Sequence, residues 1–118
     1  MKYMLLIYLD QSWAARSVAE RQRLYAEQVR FSDELQAKGQ YLAGSPLQPP
    51  ASAATVRVRD GKRLLTDGPF AETREHLGGY MIIDVRDRDE AIAIASRAPL
   101  AHVGTIEVRA MREGPPTE

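Results

Sequence analysis

The segment Asp67-Gly68-Pro69-Phe70 sets a carboxylate beside a glycine, a proline and a large aromatic ring. That combination suits an acid held at the mouth of a cavity, where Asp67 would act as a general base or as an anchor for substrate. Asp67 could equally close an Asx turn, its oxygen accepting from amides two residues on. In that case Gly68 supplies unusual dihedrals, Pro69 stiffens the loop and Phe70 anchors it in the core. The two roles are compatible, because rigid loops are good places for a site. Phe70 and Glu72 are taken as ligand contacts from the same loop. Glu72, Glu75 and His76 also offer oxygen donors and one imidazole near Asp67. No His-x-x-x-His or comparable spacing accompanies them, so no metal site is expected. Local capping, or pairing with Arg74, explains Glu72 as well.

His102, one of only two histidines, is the natural acid–base group near neutral pH and the second catalytic candidate. It could also be a plain exposed loop residue. Gln28 interrupts an apolar helical stripe. A buried amide needs partners and can mark a cavity, although the edge of a stripe can simply be wet. Tyr25, about one turn earlier, would bring a phenol to the same pocket. Glu107 and Arg109 share one face of a strand and suit an ion pair, cross-strand or intersubunit, while Arg109 could instead hold an anionic ligand. No serine sits in a nucleophile-elbow context. Gly78-Gly79 is placed before a strand rather than a helix, so it is no phosphate loop.

The elements that would position these groups follow from periodicity. Tyr3 to Leu9 is a continuous apolar run of strand length, apolar on both faces. Ser17-Val18-Ala19-Glu20 forms a capping box that opens a helix from about Val18 to Lys38, ended by Gly39. Leu24, Phe31 and Leu35 form its stripe. Tyr41 to Leu47 reads as a strand closed by Pro46, Pro49 and Pro50. Val56 and Val58 alternate with Arg57 and Arg59 in a half-exposed strand, and Asp60-Gly61 signals a type I′ hairpin with a return arm from Lys62 to Thr66. The stretch from Asp67 to Gly79 reads as an ordered loop. Tyr80 to Val85 is a second two-faced apolar strand. Asp87 to Glu90 opens a helix carrying Ala91, Ile94, Ala95 and Ala98, and Pro99 stops it. Thr105 to Met111 is the last strand.

This order is an α+β, ferredoxin-like βαββαβ unit with an inserted β-hairpin, a single domain over residues 1–112 with a flexible tail over 113–118. Two helices cover only one face of such a sheet. The other apolar face calls for a cover, most economically a second copy about a two-fold axis, so a homodimer is expected. Sixteen Lys and Arg balance sixteen Asp and Glu. Zero net charge argues against nucleic acid. The absence of cysteine excludes disulfides, thiol nucleophiles and Cys-ligated zinc. No run is long enough to span a membrane and the N-terminal apolar run is too short for a signal peptide, which makes the cytoplasm the expected location.

Thr66-Asp67-Gly68-Pro69-Phe70-Ala71-Glu72-Thr73 resembles the signature of the DGPF-domain branch of the YCII-related family. Tyr3-Met4-Leu5-Leu6-Ile7-Tyr8, Leu77-Gly78-Gly79-Tyr80 and Gly104-Thr105-Ile106-Glu107-Val108-Arg109 agree with it in order. The resemblance spans almost the whole chain. It implies a dimeric α/β barrel of ferredoxin-like units. Many such proteins are encoded beside extracytoplasmic-function sigma factors, so a regulatory partnership with a sigma factor is one expectation. Some members of the wider family resemble small lyases, including a dehydrochlorinase of chlorinated aromatics, with a His–Asp pair whose histidine lies on the first helix. Here Gln28 stands at that place and the first helix has no histidine. The resulting expectation is a homodimer binding a small molecule in a cavity near the Asp67 loop, without a cofactor. A sigma-factor accessory role and a cofactor-free lyase or isomerase with Asp67 as base are the alternatives.

Overall fold

Side-chain alternation along the first strand decides where the core lies. In β1 (Lys2–Leu9), Tyr3, Leu5, Ile7 and Leu9 are buried, while Met4, Leu6 and Tyr8 between them remain half-buried. The computed structural model describes residues 1–71 and 73–117. β1 pairs antiparallel with β5 (His76–Asp84) on one side and with β6 (Thr105–Ala110) on the other, and β2 (Tyr41–Pro46) adds to β5. The four-stranded sheet therefore runs β2-β5-β1-β6, the ferredoxin-like βαββαβ arrangement.

Two helices pack on one face. α2 (Val18–Ala37) starts where the Ser17 hydroxyl accepts from the Glu20 amide at 3.1 Å. Glu20 does not reach back in the manner of a full capping box; its carboxylate pairs with Arg16 at 3.3 Å. The helix ends in a Schellman motif: Gly39 has φ +72°, Gly39 N–H donates to Gln36 O, and Gln40 N–H donates to Leu35 O. α3 (Arg88–Arg97) is capped by Asp87, which accepts from the Glu90 amide at 2.9 Å, and it buries Ala91, Ile94 and Ala95. Pro99 stops it, and a 3-10 turn follows over Pro99–His102. Phe31 and Leu35 of α2 meet Leu5, Met81 and Ile83 of the sheet in one continuous core.

Several expectations change. A short helix, α1 (Gln11–Ala15), follows β1 because Asp10 accepts from the Ser12 amide and so starts a turn that apolar periodicity does not reveal. β5 begins at His76, so Gly78 and Gly79 lie inside the strand and not before it. Gly78 is the unpaired residue of a bulge, since Ile7 pairs with Gly79 and Tyr8 with Leu77. A side chain at Gly78 would meet Leu9 Cδ1 at 2.6 Å.

Among the described residues the inserted hairpin, β3 (Ala54–Arg59) and β4 (Lys62–Asp67), pairs with no other strand. Asp60 and Gly61 both have positive φ, 52° and 74°, as a type I′ turn requires. The strand expected to be half-exposed is exposed along nearly its whole length. Phe70 was expected to anchor its loop in the core. It is instead 73% exposed, its ring capped by the Arg57 guanidinium at 4.8 Å, because its loop packs on a hairpin that contributes no residue to the core.

Candidate functional site

A cleft of about 290 Å³ opens between α2 and the sheet. It exists because glycine occupies the floor: Gly44 of β2 and Gly78 and Gly79 of β5 all line it. A Cβ at Gly44 would lie 2.7 Å from the Tyr41 hydroxyl and 2.9 Å from Tyr80 O, so these backbones approach as only glycine permits. Tyr25, Gln28, Val29, Ser32, Asp33 and Gln36 form the α2 wall, at spacings that place them along one side of the helix. Ile7, Tyr41, Met81 and Leu100 complete the enclosure.

Gln28 spans this cleft. Its Nε2 donates to Met81 Sδ at 3.3 Å, and its Oε1 accepts from the Leu100 amide at 3.4 Å. A thioether is a weak acceptor and the second bond is long, so the amide retains most of its capacity for a better partner. Nearby, the Ser32 hydroxyl donates to Gln28 O at 3.1 Å. Among the described residues no lysine, arginine or histidine lines the cleft, and the one carboxylate there is Asp33. The arrangement can bind through hydrogen bonds and apolar contact, but it holds no imidazole for proton transfer.

Tyr25 and Gln28 therefore come together in one cavity, and the other candidates lie elsewhere. Asp67 ends β4 and is exposed; it does not line the cleft. Its loop is shaped by backbone contacts: Gly68 N–H donates to Ala53 O at 2.6 Å, and the Thr55 hydroxyl donates to Gly68 O at 2.9 Å. No hydrogen bond of the Asp67 side chain is present among the described residues, so the turn does not depend on its carboxylate. Glu72 lies outside the described residues. His102 is exposed at the end of the 3-10 turn, two residues beyond the cleft-lining Leu100.

Glu107 and Arg109 lie on the sheet face opposite the helices. Arg109 Nε donates to the Glu107 carboxylate at 2.9 Å, and Tyr8 donates to the same side chain at 3.3 Å. The guanidinium is thus engaged within its own strand, and hydrogen bonding to Glu107 raises its pKa above the ordinary value. Glu75 accepts from the Thr105 hydroxyl at 3.0 Å. Among the described residues no cluster of His, Asp and Glu could hold a metal ion.

Sequence reasoning missed Asp33, Tyr41, Met81 and the glycine floor. The signal available for the floor was glycine within strand-like sequence, which marks close backbone approach or space left for something else.

A family model, the YCII-related domain, matches residues 1–114. An uncharacterised protein of Rhizobium meliloti (strain 1021) is 35% identical over 112 residues, 92% of this chain and 90% of that protein. Among solved structures, 5-chloro-2-hydroxyhydroquinone dehydrochlorinase (TftG) from Burkholderia phenoliruptrix AC1100, in complex with 2,5-dihydroxybenzoquinone, matches with a TM-score of 0.55 at 17% identity. The match covers 97% of this chain and 96% of that one. At that identity the likeness is one of fold.

Proposed function

The chain belongs to the YCII-related family, and from that premise we propose that it is a homodimer binding a small, hydrogen-bonding ring compound in the cleft between α2 and the sheet. The carrying observation is Gln28, whose amide crosses the cleft with only a thioether sulfur and a long amide contact as partners. A ligand hydroxyl or carbonyl is a better partner than either, and binding would replace those contacts with stronger ones. The cleft volume, about 290 Å³, stands at the lower edge of small-molecule sites. With no cation in its lining, the cleft disfavours phosphates and carboxylates, whose recognition draws on Arg or Lys. A hydroxylated six-membered ring has the right size and polarity, and the fold neighbour was solved with such a ring bound.

The dimer reading rests on the face opposite the helices. Met4, Leu6, Tyr8, Tyr80 and Ile82 lie there only half-buried, with no element of the same chain over them. An apolar patch of that kind, bordered by the Glu107–Arg109 pair, favours a cover in water.

The test is a thermal-shift and calorimetric screen with hydroquinone and catechol against benzoate and inorganic phosphate. A phenolic ring should raise Tm on wild type and leave Gln28→Leu unmoved. A ligand at a hundred times its Kd adds about 2.7 kcal/mol, a shift easily read. Preference for the anions, or equal shifts in wild type and Gln28→Leu, would discard the reading.

A further inference from the structure

The β3–β4 hairpin should not be stable as it stands in one protomer. A two-stranded hairpin in water is marginal at best; a third strand or a packed surface is needed to hold it. This one pairs with no third strand, yet it displays Val56, Val58 and Leu65 at 58, 60 and 56% exposure. Register places these three together. Val56 is opposite Leu65, and Val58 is two residues along from Val56 on the same side. On the other side Phe70 and Arg57 stack beside Leu64, which is still 49% exposed. The hairpin therefore carries its own loop on one face, while the other is bare and presents an apolar patch of Val56, Val58 and Leu65 flanked by Arg63 and Asp67.

We infer that the bare face of this hairpin clasps a second copy of the chain, extending the sheet-face dimer interface proposed above and resting on that reading. Shape supplies the first argument. The radius of gyration is 16.3 Å, against about 13.5 Å for a compact chain of this length. The molecule measures 47 × 45 × 20 Å. The thin dimension matches one sheet and one helix layer, so the hairpin lies within the slab and extends it sideways. When two slabs stack face to face, an arm in that plane overhangs the partner copy.

Area supplies the second argument. Strands of 8, 6, 9 and 6 residues present a face of about 19 by 24 Å, roughly 460 Å² per partner in projection. A stable interface takes about 800 Å² per partner. The sheet face is the smaller of the two, and a reciprocal pair of arms supplies further apolar area at the edge of the same interface. Charge agrees. Arg57, Arg59, Lys62 and Arg63 against Asp60 and Asp67 give the hairpin, residues 54–67, a net charge of +2, so the rest of this neutral chain carries −2. The arm of one copy is complementary to the body of the other.

The experiment compares wild type, Leu6→Glu in the sheet face and Val56→Glu/Leu65→Glu in the arm by sedimentation velocity over a concentration series. Hydrogen–deuterium exchange of residues 54–66 is followed above and below the wild-type Kd. The clasp predicts a wild-type dimer, a monomeric Leu6→Glu, and at least a tenfold weaker dimer for the arm variant with unchanged circular dichroism. Arm amides should be protected in the dimer and exposed on dilution, a readout on wild type that stands even if the arm variant misfolds. A wild-type dimer with arm exchange independent of concentration, or with an arm variant of unchanged Kd, overturns the clasp and leaves the sheet-face dimer standing. A wild type that stays monomeric overturns both.

Discussion

The Gln28 side chain donates to the Met81 sulfur at 3.3 Å, joining α2 to the central strand pair across a cleft floored by glycine. Gln28→Leu keeps the side-chain bulk and removes a weakly partnered amide. Its cost to folding should stay within about 1 kcal/mol, because little net hydrogen bonding is lost. Binding of a phenolic ring should fall at least tenfold. Urea denaturation and calorimetry separate the two effects; a large loss of stability with binding intact would assign Gln28 to structure alone.

Filling the floor should act on the cleft and on the fold together. Gly104, outside the cleft, gives the comparison: a Cβ there would lie 2.4 Å from Tyr8 O, a backbone atom that cannot step aside, so Gly104→Ala should cost about 1–3 kcal/mol and leave the cleft open. At Gly44 the nearest atom is the movable Tyr41 hydroxyl, although Tyr80 O also lies at 2.9 Å. Gly44→Ala should therefore be the milder of the two in thermal unfolding while abolishing ring binding. The reverse order of stabilities would contradict this account of the floor.

Leu5 is fully buried between the helices and the sheet. Leu5→Ala should lose about 2–5 kcal/mol, a large part of the 5–15 kcal/mol typical of a domain. Ser17→Ala, which removes only the α2 cap, should lose about 1 kcal/mol. Chemical denaturation that ranked the cap above the core residue would refute this placement of the core.

Acid should release the start of α1 late. Hydrogen bonds from the Ser12 hydroxyl and amide hold the Asp10 carboxyl below its ordinary pKa. A depressed folded-state value means the contribution is complete above the usual carboxylate range and is lost as pH falls through the folded value. Carboxyl titration by NMR should show Asp10 protonating late, with Ser12 and Trp13 amide shifts following it. Ser12→Ala should move that titration upward; an unmoved curve would count against the bond.

Much of the fold was legible because its signals are local. Ser17 and Gly39 bracket α2, Asp87 and Pro99 bracket α3, and Asp60-Gly61 turns the hairpin; each acts within a few residues of itself. The candidate site was legible only in part. Gln28 and Tyr25 stood out because an amide and a phenol accompany an apolar stripe, and they do meet at the cleft. Phe70 misled, since a large aromatic in a rigid loop usually finds a core, and here its partner is Arg57 at the surface.

The sequence alone determined the order of the strands and of the two long helices, the caps of those helices, the hairpin turn and the identity of the core stripes, because capping, glycine dihedrals and side-chain alternation are properties of neighbouring residues. Tertiary structure decided which residues share a cavity. Gln28 and Met81 are fifty-three positions apart and meet only when α2 lies across β5, and Gly44, Gly78 and Gly79 become a floor only when β2 pairs with β5. It also decided that Asp67 lies outside the cleft of its own chain, since an inserted hairpin carries its own hydrogen bonds and need not follow the sheet that it interrupts.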